Sequence, residues 1–173
     1  EEFGKTAKKL FKYPPGKNIL IVHENFLQIF SLEIRTNQRN FKGGTAPIKN
    51  QSFSYQGRFI ALTNIDGSTC IINAFTSKTV SNMPFDCTIS AMHFSPNSAY
   101  LAIADAKGNL NIIDVNTDSI VQRFKNLNNS ITNISFAPNS RYIVVSSDSD
   151  SRLGVVELNW DLQFTSSANN PRN

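Results

Sequence analysis

Three stretches of this chain are copies of one another. FSYQGRFIAL begins at Phe53, FSPNSAYLAI at Phe94 and FAPNSRYIVV at Phe136, so successive copies lie 41 and 42 residues apart. Each carries a second aromatic six residues in, at Phe59, Tyr100 and Tyr142. A further apolar element follows each copy: STCIINA from Ser68, NLNIIDV from Asn109, and RLGVVEL from Arg152, the last displaced by one inserted residue. The same pair of elements occurs earlier, as GKNILIV from Gly16 and FLQIFSL from Phe26. Self-similarity at a fixed period demands a fold of stacked like units, in which each buries its apolar faces against its neighbours.

The third unit gives the clearest view of what is repeated. TISAMHF, residues 88–94, alternates Ile89, Ala91 and His93 with Ser90, Met92 and Phe94, the period of a strand. SPNS supplies the Pro and Asn of a tight turn. AYLAIAD is then almost continuously apolar, as a strand covered on both faces should be. Ala106-Lys107-Gly108-Asn109 closes a hairpin, and LNIIDV and SIVQRF come next, separated by Asn116-Thr117-Asp118. Nowhere does a 3.6-residue periodicity with caps appear. The chain is all-β, and the period is that of a propeller blade of four antiparallel strands. About four blades are expected, over 16–47, 48–86, 87–129 and 130–164. A segment 1–15 with a candidate first strand at Lys8–Tyr13 precedes them, and a polar tail 165–173 ends the chain.

With these residues in view, the chain resembles the WD40-repeat family over nearly its whole length. FSPNSAYLAIADAKGNLNIIDV is similar to that family's middle strands, including the small polar turn before a Gly. The family's Trp-Asp pair falls on Ile113-Asp114 in the third unit, and on Phe30-Ser31, Ile72-Asn73 and Val156-Glu157 in the others. Its Gly-His pair would fall near Gly43-Gly44, Pro84-Phe85 and Asn126-Leu127, where there is no histidine. Trp160-Asp161 stands outside the register of the repeat. These are therefore degenerate blades, expected to lack the family's side-chain hydrogen-bond network and to be held mainly by packing. The resemblance implies part of a larger propeller, most often seven-bladed, with the remaining blades supplied by the same protein or by a partner chain. It implies a non-catalytic scaffold that binds other protein subunits in a larger intracellular assembly. It also leaves open an RNA-associated subunit of a ribosome-assembly type particle, and more remotely an exchange factor for a small GTPase on the early secretory membrane.

The remaining residues offer little chemistry. His23 and His93 have no His or Cys at ligand spacing and read as strand histidines. Cys70 and Cys87, 17 residues apart, cannot make a disulfide framework; they read as buried small hydrophobes in a reducing compartment. SSDSDS at 146–151 lacks the Gly and closing Glu of a calcium loop and reads as a solvated turn. Gly43-Gly44 lacks the spacing of a phosphate loop. No apolar run is long enough to span a membrane and the first residues lack the apolar core of a signal peptide, so a nuclear or cytoplasmic location is expected. The net charge of +4 includes a local cluster, Lys5, Lys8, Lys9 and Lys12, that reads as solvated. Lys12, Tyr13, Arg35, Arg39, Phe41 and Lys42 interleave charge with aromatics as single-strand binders do, although these aromatics are more simply core. No enzyme activity, cofactor or metal is expected. The candidate interaction surface lies on inter-blade turns, at Arg39 and Lys42 in RNFKGG and at Asn128 and Asn129 in NNS.

Overall fold

A computed structural model describes residues 7–13, 17–42, 46–85, 87–125, 127, 130–147 and 153–159. Among them are fifteen strands and no helix. β1 (Lys9–Tyr13), β2 (Asn18–Val22), β3 (Phe26–Ser31) and β4 (Thr36–Lys42) form the first sheet. β5 (Ile48–Phe53), β6 (Phe59–Asn64), β7 (Ser68–Asn73) and β8 (Thr79–Pro84) form the second. The third comprises β9 (Ile89–Phe94), β10 (Tyr100–Asp105), β11 (Leu110–Asp114) and β12 (Ser119–Phe124). The fourth shows β13 (Asn133–Phe136), β14 (Tyr142–Ser146) and β15 (Leu153–Glu157). Every sheet is an antiparallel meander in chain order, and the candidate first strand of the N-terminal segment is β1 of the first sheet. Phe53, Phe94 and Phe136 close the first strands of three sheets, while Ile71-Ile72, Ile112-Ile113 and Val155-Val156 lie on their third strands, as the repeat requires.

The pairing makes the equivalence of the units explicit. Asn18 lies opposite Ser31, Phe59 opposite Asn73, Tyr100 opposite Asp114 and Tyr142 opposite Glu157. Counting from those positions, alternate residues face opposite neighbours. Leu20, Val22, Leu27 and Ile29 of the first sheet pack on Ile60, Leu62 and Ile72 of the second. Phe59, Ala61 and Ile71 on the other face of the second sheet meet Leu101, Ile103 and Ile113 of the third. Ala102, Ala104, Leu110 and Ile112 then meet Ile143, Val145 and Val156 of the fourth. This two-sided burial is why YLAIAD reads as an unbroken apolar run. The first strands are the inner ones: β5 lies against β9, and β9 against β13.

One local expectation is corrected. Strict alternation put Ile89 and Ala91 on one face, yet Ile89 packs toward the second sheet and Ala91 toward the fourth. The cause is a β-bulge: Ala104 pairs with Ala91 and Asp105 with Ile89, skipping Ser90, and one extra residue moves the side chains beyond it to the opposite face. The second sheet carries the same bulge, with Ile48 opposite Asn64 and Asn50 opposite Thr63.

Turns repeat as faithfully as strands. Between the first and second strands, Gly57, Ser98 and Ser140 all take positive φ, at 69°, 60° and 57°. Their amides close i→i+3 turns on the carbonyls of Ser54, Ser95 and Ala137. Between third and fourth strands, Arg35, Ser77 and Asp118 take positive φ as well. There the side chains of Asn73 and Asp114 accept hydrogen bonds from the turn amides, as Asn and Asp do when they set a turn. The aspartate that stands in the family's Trp-Asp position is thus a turn-former here.

Candidate functional site

The register that builds the core also places a polar residue at the same buried spot in each blade, at the end of the second strand or one residue past it. His23, Asn64, Asp105 and Ser147 occupy it, and all four are buried. Three of them bond to the start of the next strand or its hairpin: His23 Nε2 lies 3.3 Å from Gln28 Oε1, and Asn64 Nδ2 donates to Ser68 Oγ at 2.8 Å. Asp105 does most. Its Oδ1 accepts from the amides of Lys107 and Asn109, and its Oδ2 from Asn109 Nδ2 and from the Cys87 thiol at 3.1 Å. Burial alone would raise the carboxyl pKa, but the Asn109 side chain and amide, the Cys87 thiol and the Lys107 amide together hold it below its ordinary value.

This corrects one expectation. Cys87 is not merely a small hydrophobe: half-buried, it ties the entry of its blade to the β10–β11 hairpin, so the third blade adds this hydrogen-bonded seat to its packing. Cys70 does fit the apolar reading; it packs against the core between the first two sheets, and burial pushes its thiol pKa up. His23 is a buried histidine stacked on Phe26 at 4.0 Å. His93 is exposed on β9, its ring stacked on Phe136 at 6.2 Å.

The side chain of Arg39, singled out as a contact residue, is already engaged. Its Nη1 donates to the carbonyls of Ala74 and Phe75 in the β7–β8 turn, clasping the first blade to the second. The equivalent residue of the third blade is Gln122, whose Nε2 donates to the carbonyl of Asn159 at the equivalent place in the fourth. Lys42 is exposed at the end of β4. Asn128, Asn129, Gly43-Gly44, Asp148–Ser151 and Trp160-Asp161 lie outside the described residues.

Where the first strands end, their side chains converge on a cavity of about 810 Å³. Its walls are register-equivalent residues: Phe53, Phe94 and Phe136, and two positions further on Tyr55, Pro96 and Pro138. Ser95, His93 and Lys12 complete the described lining, and Tyr55 is 78% exposed at the rim. Beside it Tyr13, which ends β1 as Phe53 ends β5, meets Phe53 edge-on at 5.9 Å and donates its hydroxyl to the carbonyl of Gly57. Such a volume suits a ligand or a peptide side chain. At the opposite ends of the strands a second cavity, of about 460 Å³, is lined by Gly67, Phe85, Cys87 and Lys107 among others. Among the described residues no group of three or more His, Cys, Asp or Glu could hold a metal ion, and no helix is long and apolar enough to cross a membrane.

Tyr13 gives the junction of the first two blades a pH signature. Burial, partly offset by the Arg39 charge, pushes its phenol up to about 12. A folded pKa above that of the unfolded chain means a contribution that is full below about pH 10 and is lost as pH rises toward the folded value. Chemical denaturation at pH 8 and pH 11 is therefore expected to show a larger alkaline loss for the native chain than for Tyr13→Phe. At pH 8 the variant is expected to lose about 1 kcal/mol, for one hydrogen bond.

Antiparallel four-stranded sheets packed face to face, with their first strands innermost, define propeller blades. The blades are similar to those of the WD40-repeat family. Residues 85–139, from the entry of the third blade through β13, match the model of the anaphase-promoting complex subunit 4 WD40 domain. The chain is also similar to pre-mRNA-processing factor 19 of Oryza sativa subsp. japonica, 24% identical over 130 residues. That match covers 72% of this chain and 25% of the relative, so the chain spans about a quarter of the protein it resembles.

Proposed function

We propose that this chain is a non-catalytic interaction scaffold, a run of propeller blades that works inside a larger assembly in the nucleus or cytoplasm, and that its fourth blade is covered there by a further blade. The observation that carries this reading is the outward face of the fourth sheet. Leu153 and Val155 are 74% and 70% exposed, and Val144, directly opposite Val155, is 37% exposed. By register these positions match Leu110, Ile112 and Ala102, all fully buried against the next blade. The fourth sheet thus presents the same half of an interface that the first three use to hold a neighbour. Covering a few hundred Å² of such surface is worth several kcal/mol, at about 25 cal/mol per Å².

The test is direct. Residues 1–173 expressed alone should self-associate or bind a hydrophobic dye, and should lose both properties once a propeller-bearing partner is present. A monomer at high concentration, with cooperative unfolding and no dye binding, would overturn the reading. A second reading, contact with RNA, is favoured by the name of the pre-mRNA-processing relative and by Lys9 and Lys12 on β1. It requires an affinity for RNA that falls steeply with salt. Lys8, however, is paired with Glu24 at 3.5 Å, which weakens the local field.

A further inference from the structure

We infer that the cavity at the ends of the first strands is a docking site for an extended peptide with a bulky apolar side chain next to a carboxylate. This rests on the scaffold reading and names the place and the chemistry by which one partner is held.

Three observations point to that ligand. The walls are aromatic and proline side chains brought together by the repeat itself, and a cavity of about 810 Å³ can take a large apolar side chain. Phe94 and Phe136 line it as buried side chains, whereas Tyr55, 78% exposed, is free to pack on an arriving side chain. A rigid, amphipathic tyrosine so placed is the kind of residue that dominates recognition energies. Charge supplies the second half of the specificity. Among the described lining residues there is no carboxylate, and the cation is Lys12 on β1. Partial burial of the His93 ring lowers its pKa below the ordinary imidazole value, against a smaller opposing effect from the Phe94 backbone, which disfavours a second cation here. An acidic group beside the apolar anchor therefore meets a cation, and a basic one meets Lys12 as a like charge.

The repeat also explains why this end of the sheets is open. Gly57, Ser98 and Ser140 turn the chain sharply with positive φ immediately after the wall residues, so the loops stay short and leave the cavity uncovered.

Two labelled hexapeptides that differ only in having Glu or Lys on either side of a central Phe-Leu pair separate the outcomes. With the full chain at low salt, fluorescence polarisation is expected to detect the Glu peptide, and the Lys peptide at least about tenfold more weakly. Tyr55→Ala should weaken the Glu peptide by about tenfold or more, the level of an interface hot spot. Lys12→Glu should reverse the preference between the two peptides. Both side chains are exposed, so far-ultraviolet circular dichroism should match the native chain. Equal binding of the two peptides, no binding of either, or a preference that Lys12→Glu leaves unmoved would overturn the site. Capture of the chain's stoichiometric partners by Tyr55→Ala at native yield, together with such a result, would reject this site while leaving the scaffold reading intact. Loss of self-association and of partners with peptide binding retained would do the reverse.

Discussion

Asp105→Ala lowers the stability of the protein by about 3 kcal/mol, the cost of leaving several part-buried donors without their acceptor at roughly 1 kcal/mol each. The donors are the amides of Lys107 and Asn109, the Asn109 side chain and the Cys87 thiol, all gathered on one carboxylate that is 4% exposed. Urea denaturation followed by circular dichroism reads the loss as a lower midpoint at unchanged slope. Asp105→Asn costs less, about 1 kcal/mol, since one oxygen still serves the two amides while the new NH2 faces donors it cannot accept from. In the second blade the equivalent seat holds Asn64, whose Nδ2 donates to Ser68 Oγ. The sign of the pH effect comes from the depressed carboxyl of Asp105. Its contribution is full above the ordinary carboxylate pKa and is lost as pH falls through the lower folded value. Native chain and Asp105→Ala therefore converge in stability at acid pH, and a constant difference across the acid range would show that the carboxylate is not the group responsible.

That seat also marks the boundary of what the sequence could reveal. The strands were legible because two signals repeat together: an apolar alternation of period two and a turn at fixed distance from an aromatic. Both depend on residue class alone, so Phe59, Tyr100 and Tyr142 serve equally. The buried polar seat is filled by His23, Asn64, Asp105 and Ser147, four side chains with different donors and acceptors. No motif survives such variation; only the strand register identifies them as one position. The interblade clasp is hidden for the same reason, with Arg39 in one blade and Gln122 in another reaching equivalent carbonyls. Arg39 looked like a contact residue because a loop-proximal cation beside aromatics carries no sign of which acceptor it will find. The bulge at Ser90 is illegible for a different reason: it is a property of the pairing of β9 with β10, which the alternation along one strand does not encode. The cavity needed three separated turns brought side by side, and so emerged only with the packing of β5, β9 and β13.

The same substitution at two equivalent positions is expected to have opposite consequences. Ile112 and Val155 occupy one register position in successive blades, opposite Ala102 and Val144. Ile112 is fully buried against the fourth sheet, whereas Val155 is 70% exposed. Ile112→Lys places an unpaired ammonium among Ala102, Ile143, Val145 and Val156 and removes a large apolar side chain, a loss beyond about 4 kcal/mol and enough to unfold an ordinary domain. Val155→Lys in the chain alone changes stability by no more than about 0.5 kcal/mol, as exposed substitutions do. It should also remove the dye binding and self-association expected of the native chain. In the proposed assembly the two positions would become alike, because a covering blade would give Val155 the surroundings that Ile112 already has. Val155→Lys is then expected to release the neighbour while the four blades stay folded, seen as a smaller particle by size-exclusion chromatography with an unchanged β spectrum. If Val155→Lys leaves the assembly intact, the outward face of the fourth sheet is not where the next blade docks. If Ile112→Lys is tolerated, the register that equates the blades is itself wrong.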